Sequence, residues 1–252
     1  MSGTHNCNRR TFLRITGLVT GAAATLGFAA VSTAAEQNAA ATEAKQGANA
    51  HAGHAASPDK PLSRGRMFFV NALEFATLSE AVERIFPKDD LGPGAKELAV
   101  PYFIDNQLAG AWGYNAREYT GGPHFPGAPT QGYQTPLLRR DVFRQGLLLL
   151  NNAAQERFKK NFPYIDDAEK DQILTDCAAG KLAARGFTSS FFFSLLKDAV
   201  LAGVYSDPIY NGNNNMDGWR LKDYPGAQMS YEYLMTSEKF EKVDPMSLSA
   251  MQ

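Results

Sequence analysis

The stretch Phe191-Phe192-Phe193-Ser194-Leu195-Leu196 is apolar nearly all the way round a helical projection. No other feature constrains the fold as much, because a helix without a polar face has to be surrounded by other elements. Thr188 stands before it as an N-cap. The neighbouring segments read as the helices that would surround it. Asn71 with Glu74 three residues on is a capping-box signature, and Phe75, Leu78, Val82 and Ile85 follow at helical spacing until Pro87. A Gly92-Pro93-Gly94 turn leads into a helix expected over Ala95 to Ala109, with Pro101 opening its second part. Thr135-Pro136 reads as a cap and first-turn proline before Leu137 to Phe158, which carries Leu147-Leu148-Leu149-Leu150. Asp166 with Glu169 is a second capping box, and Gly180 is a stop. No stretch alternates with period two and no repeat is present, so the expected fold is all-α, a single helical domain over 66–252.

The formal charge of −1 hides an asymmetry. Residues 1–35 hold Arg9, Arg10 and Arg14 and no acid, so they carry +3 and leave −4 on the rest. An acidic body argues against nucleic acid or anionic membrane as the main partner, since both attract basic surfaces. Arg9-Arg10-Thr11-Phe12-Leu13 precedes 21 uncharged residues that end in Ser32-Thr33-Ala34-Ala35. A basic start, a weakly apolar middle and small residues at the end make a signal peptide. The arginine pair with Phe12 and Leu13 is similar to the twin-arginine type, which exports folded proteins. A transmembrane anchor is the rival reading, because 21 residues suffice to span the hydrocarbon layer; the scarcity of large apolar side chains favours the signal. Residues 36–65 are Ala-rich and read as a flexible linker. Its His51 and His54 lack flanking ligands and read as non-functional. With Cys7 in the leader, Cys177 stands alone in the body and reads as a buried apolar residue; pairing with a partner is the alternative.

Two loops depart from the helical scaffold: Gly110 to Thr135, with Trp112, Tyr114, Tyr119, Phe125 and Tyr133, and Tyr205 to Gly226. Loops this long are usually functional or disordered. Their aromatic, Gly/Pro/Asn-rich composition argues against disorder and for a binding face. The sequence offers no chemistry of its own. It has no dinucleotide fingerprint, phosphate loop or haem-attachment motif. His124 is the only body histidine and has no nucleophile near it in sequence. Asp207 and Asp217 can be read as an acid/base pair or calcium ligands, but Asp207-Pro208 is more economically a turn, and the run ending in Asp217-Gly218 lacks a terminal Glu.

Several blocks together carry a resemblance: Phe68 to Pro87, Asp90-Leu91-Gly92-Pro93-Gly94-Ala95, Tyr102-Phe103-Ile104-Asp105 and Gly132-Tyr133-Gln134. The strongest is Gly203-Val204-Tyr205-Ser206-Asp207-Pro208-Ile209-Tyr210, followed by Gly212-Asn213, Gly218-Trp219 and Tyr224-Pro225-Gly226-Ala227. From about Phe68 to Ala227 the sequence resembles the small (third) subunits of gluconate 2-dehydrogenase. Two positions depart from that family's pattern: Asn211 and Asp223 stand where glycine is usual. Both residue types tolerate the left-handed backbone that glycine supplies in turns.

The resemblance implies a non-catalytic subunit of a periplasmic dehydrogenase of sugars or sugar acids, held at the inner membrane through its complex. No cofactor is expected in this chain. FAD is expected on the large catalytic subunit and haem c on a multihaem cytochrome partner, with the twin-arginine translocase as the export machinery. The two loops are expected to clamp the catalytic subunit, with the interface residues on the second. Tyr205, Tyr210, Trp219 and Tyr224 are its anchors, with Asp207, Pro208, Gly212, Asn213, Gly218, Pro225 and Gly226 in its turns; for Trp219 and Tyr210, packing back on their own helices is the alternative. Two rivals remain: a free-standing periplasmic carbohydrate-binding protein stacking sugar on Trp112, Tyr114 and Trp219, and a self-sufficient enzyme using Asp207, Asp217 or His124.

Overall fold

Three helices of this protein, those beginning at Ala72, Asp167 and Ser189, start where a side chain satisfies the first free amides. The computed structural model describes residues 64–251 apart from 120, 126, 129, 130, 134 and 240. Arg9, Arg10, Phe12 and Leu13, the expected signal and all but the last two linker residues lie outside the described residues. Helix α1 spans Ala72–Ile85, and Asn71 Oδ1 accepts from Leu73 N at 2.9 Å. Glu74 points instead toward Arg144, 4.0 Å away. Helix α2 is Val100–Ala109, five residues shorter at its start than expected, because Ala99 takes a left-handed conformation (φ 59°) just before it. Helix α3 is Arg139–Phe158 with Leu138 at its N-cap. Thr135, the expected cap, accepts from Leu137 N at 3.4 Å and donates to Gly186 O at 3.2 Å, but the helix begins only at Arg139. Helix α4, Asp167–Ala178, has the complete Asp166/Glu169 capping box, and Gly180 follows it at φ 74°. Helix α5, Ser189–Tyr205, begins where Thr188 Oγ1 accepts from Phe191 N at 3.2 Å. Among the described residues there is no strand, and the fold is all-α.

The all-apolar segment sits where its composition requires. Helix α5 packs against each of α1 to α4, and Phe192 in its first turn is fully buried. Burying a side chain of that size is worth about 1.5–3 kcal/mol. Phe192 meets Phe143 of α3 edge-on at 5.8 Å. The two helices approach closely because Gly146 has no side chain: a Cβ there would lie 2.3 Å from the Phe192 ring. Helix α5 is not enclosed all round, however. Ser194, Asp198 and Ala202, four residues apart, form an exposed stripe along it.

Charged groups join α1 to α4 on the other side of the core. Arg84 grips Asp171 with two bonds of 2.7 Å and Asp167 at 2.8 Å. Lys170, only 5% exposed, is neutralised by Glu80 at 2.9 Å and Asp167 at 3.2 Å. A buried ammonium is tolerable only when paired in this way.

The chain's approach to α1 is fixed by a buried carboxylate. Asp105 of α2 is fully buried and accepts from three consecutive amides, those of Met67, Phe68 (3.2 Å) and Phe69 (2.7 Å). Phe68 and Phe69 are thereby pinned into the core. Among the described residues no helix is long and apolar enough to cross a membrane.

Candidate functional site

The second loop, 205–226, is a knot tied by side chains. Asp207 Oδ1 accepts from Ile209 N at 3.0 Å, which closes the Pro208–Tyr210 turn as the Asp-Pro pair implies. Asn213 is fully buried and spans the loop: its Nδ2 donates to Ser206 O and its Oδ1 accepts from Gly218 N, both at 2.8 Å. Gly218 is a contact requirement, since a Cβ there would lie 2.0 Å from Val204 O. A short helix, α6 (Asp217–Arg220), and a turn at Asn214–Met216 fill the middle, so the loop carries helical structure that its Asn-rich sequence concealed. Asn211, Asn213, Asn215, Met216 and Asp223 all have positive φ, between 45° and 67°. The two positions where glycine is usual in the resembling family, Asn211 (φ 67°) and Asp223 (φ 51°), are both left-handed.

The eleven residues expected at an interface divide into inward and outward sets. Trp219 is only 5% exposed; its Nε1 donates to Tyr205 O at 2.8 Å and its ring meets Tyr224 edge-on at 5.4 Å. It is therefore an internal strut of the loop rather than a free anchor. Gly212, Asn213, Gly218 and Gly226 are buried with it, and Asp207, Pro208 and Pro225 are partly covered. Tyr205 is half-buried, against Phe86 on one side and under the Lys222 ammonium at 4.0 Å. Tyr210 (53%) and Tyr224 (51%) face outward, and Ile209 (49%) joins them.

The loop is also fastened from a direction the sequence did not signal. The carboxylate of Asp207 accepts from Ser247 Oγ at 2.6 Å and from Leu248 N at 2.9 Å, forty residues on. Burial pushes this carboxyl's pKa up, but the Ser247 hydroxyl and the amides of Ile209 and Leu248 outweigh it and hold the pKa below the usual range. Ala227 N donates to Met246 O at 2.8 Å and Met246 N to Pro225 O at 3.1 Å. Gly226 (φ 71°) is the crossing point: a Cβ would lie 2.3 Å from Met246 O and 2.6 Å from Trp219.

The first loop, 110–135, holds fewer outward anchors than expected. Trp112 packs edge-on to Phe143 at 5.7 Å, with the Arg139 guanidinium over it at 5.2 Å. Arg139 also lies over Tyr133 at 4.7 Å and is paired with Glu118. Burial raises the Tyr133 pKa to about 12, and its hydroxyl donates to Leu137 O at 2.6 Å. Arg140 covers Tyr114 at 4.3 Å. Tyr119 (92%) and Phe125 (69%) are exposed. Between this loop and the open stripe of α5 lies a groove of about 410 Å³, floored by Phe103 and Leu195 and edged by Arg139 and Asp198.

The candidate chemical residues are dispersed or occupied. His124 is exposed, Asp217 pairs with Arg220 at 3.0 Å, and the three bonds above engage Asp207. Cys177 is fully buried, donates to Ser189 O at 3.4 Å, and burial pushes its pKa to about 12. Among the described residues no three His, Cys, Asp or Glu side chains are grouped to hold a metal.

No curated protein and no solved structure matches the chain significantly. The profile of the family described as gluconate 2-dehydrogenase subunit 3 matches residues 72–226, which takes in helices α1 to α6 and the knotted loop. That match covers more than half of the sequence and the whole helical core: the chain belongs to the gluconate 2-dehydrogenase subunit 3 family.

Proposed function

We propose that the chain is the non-catalytic small subunit of a periplasmic, FAD-dependent dehydrogenase of sugars or sugar acids. It binds the flavoprotein large subunit through the second loop and supports that partner's folding and twin-arginine export. A multihaem cytochrome c is the further member of the complex and carries the haem; FAD resides on the large subunit. Membership of a family of dehydrogenase subunits implies a multi-subunit complex, and this observation carries the reading. Two features support the rest. The leader holds an arginine pair at Arg9 and Arg10 followed by Phe12 and Leu13. The loop presents Tyr210, Tyr224 and Ile209 on a base made rigid by Asn213 and Trp219, which lowers the ordering cost of binding.

The carbohydrate-binding alternative loses two of the three aromatic residues it requires. Trp219 is buried and Trp112 is half-buried under Arg139, which leaves Tyr114 alone exposed, with Arg140 over one face. The test is co-expression with the flavoprotein large subunit, with and without this chain and with an Arg9→Lys/Arg10→Lys variant. The flavoprotein should reach the periplasm only with the wild-type chain, and Tyr210→Ala/Tyr224→Ala should weaken co-purification at least tenfold. Equal periplasmic flavoprotein in all cultures would refute the export role; no co-purification with the wild-type chain would refute the binding role.

A further inference from the structure

We propose that residues 227–251, which lie beyond the family match, are a docking element that selects this chain's own flavoprotein partner; the proposal rests on the subunit reading above. The helical core makes no use of this segment: the buried core cluster runs from Phe68 to Val204 and takes nothing from beyond it. Yet the segment is fastened at both ends rather than left to fray. Its start and finish are joined by Ala227 N to Met246 O at 2.8 Å, and Asp207 holds Ser247 and Leu248. Lys242 pairs with Asp223 of the second loop.

Between these ties the chain displays side chains of little use to a solvated segment. Met229 (86%), Tyr231 (45%), Tyr233 (61%) and Met235 (81%) are exposed within seven residues. Tyrosine carries ~150–250 Å² of largely apolar surface on few rotatable bonds, and methionine moulds itself to irregular partners. Both types are enriched in interfaces. The segment is stapled to the loop that presents Tyr210 and Tyr224, so it extends the proposed interface rather than starting a separate one. Its charge opposes a lipid surface as the occupant: Glu232, Glu238, Glu241 and Asp244 outnumber Lys239 and Lys242, and anionic headgroups attract the opposite sign. A subunit of a multi-subunit enzyme needs a partner-specific contact, and a segment outside the shared family core supplies one.

The experiment uses the full-length chain co-expressed with the tagged flavoprotein large subunit. The variants are Tyr231→Ser/Tyr233→Ser/Met235→Ser and, as a second, Met229→Glu/Met235→Glu, whose sites are too exposed to disturb folding. Both should melt within about 2 °C of wild type and lose at least tenfold in affinity for the flavoprotein. Wild-type affinity in folded variants overturns the proposal while leaving the subunit reading intact. Failure of the wild-type chain itself to bind the flavoprotein overturns the subunit reading, and the proposal with it. Self-association of the isolated chain that the Glu variant abolishes assigns the surface to a second copy, and also overturns the proposal.

Discussion

Asn213 offers the sharpest test of how the second loop is held. Asn213→Ala removes the donor to Ser206 O and the acceptor for Gly218 N, and Gly218 is buried. Stranding each backbone group costs about 1–3 kcal/mol, the lower figure applying to the partly covered Ser206 carbonyl, which water can reach. The backbone at 213 is left-handed (φ 45°), and alanine there adds about 1 kcal/mol of steric cost. The sum is about 3–5 kcal/mol. For a body of this size a kilocalorie lowers the melting midpoint by ~2–4 °C, so the variant should melt roughly 6–20 °C below wild type. Asn213→Gly loses the same bonds without the conformational strain, and should melt a few degrees above the alanine variant. Differential scanning calorimetry reads both, and hydrogen exchange of the 205–226 amides reports whether the loop opens first. An alanine variant within about 2 °C of wild type, or one more stable than the glycine variant, refutes the two-bond account.

Three further outcomes follow from the packing. Asp105→Ala strands the amides of Met67, Phe68 and Phe69; the loss should be about 3–5 kcal/mol in denaturant titration, with proteolysis first near residue 67. Acid should loosen the α1–α4 clasp and the Asp207 tie. Burial raises Glu80 and Asp167, but Lys96 and Lys170 on the first and Lys170 and Arg84 on the second more than reverse this, while Arg157 and Lys181 lower Asp176. With Asp207 these carboxyls titrate lower folded than unfolded, so their stabilisation is whole above the ordinary carboxylate range near pH ~4 and is lost as pH falls through the lowered values. Melting curves from pH 6 to 2.5 should show that fall, and a flat profile refutes it. Cys177, buried with its pKa near 12, should react with a thiol reagent no faster than the protein unfolds, whereas rapid labelling of the native chain contradicts the burial.

Local chemistry was legible in the sequence where a residue acts on its own neighbours. Asn71, Thr188 and the Asp166/Glu169 pair cap helices within three residues, and Asp207 caps its own turn. The left-handed turns at Asn211 and Asp223 were legible for the same reason, because only a few residue types tolerate that backbone. What the sequence concealed are bonds between distant segments. Asp105 serves amides 36 to 38 residues earlier, and Asp207 serves Ser247 forty residues later. Neither spacing has a period to betray it. The sequence leaves Trp219 open between an outward anchor and a self-packed ring, and its indole donates to a carbonyl inside its own loop. Thr135 has the right chemistry for a cap and does accept from Leu137 N, yet the helix starts past it at Arg139.

The Asp105 clasp has a mechanical meaning. A pull on the residues that precede Arg64 is passed to the helical body through Arg64, bonded to Asn214, and through Met67, Phe68 and Phe69, whose amides share one buried carboxylate. The tension is delivered to α2 in the middle of the core rather than to the free end of α1. Force from the front of this chain would load the Arg64–Asn214 bond of 3.0 Å first and the Asp105 cluster next, before it reached the packed helices behind them.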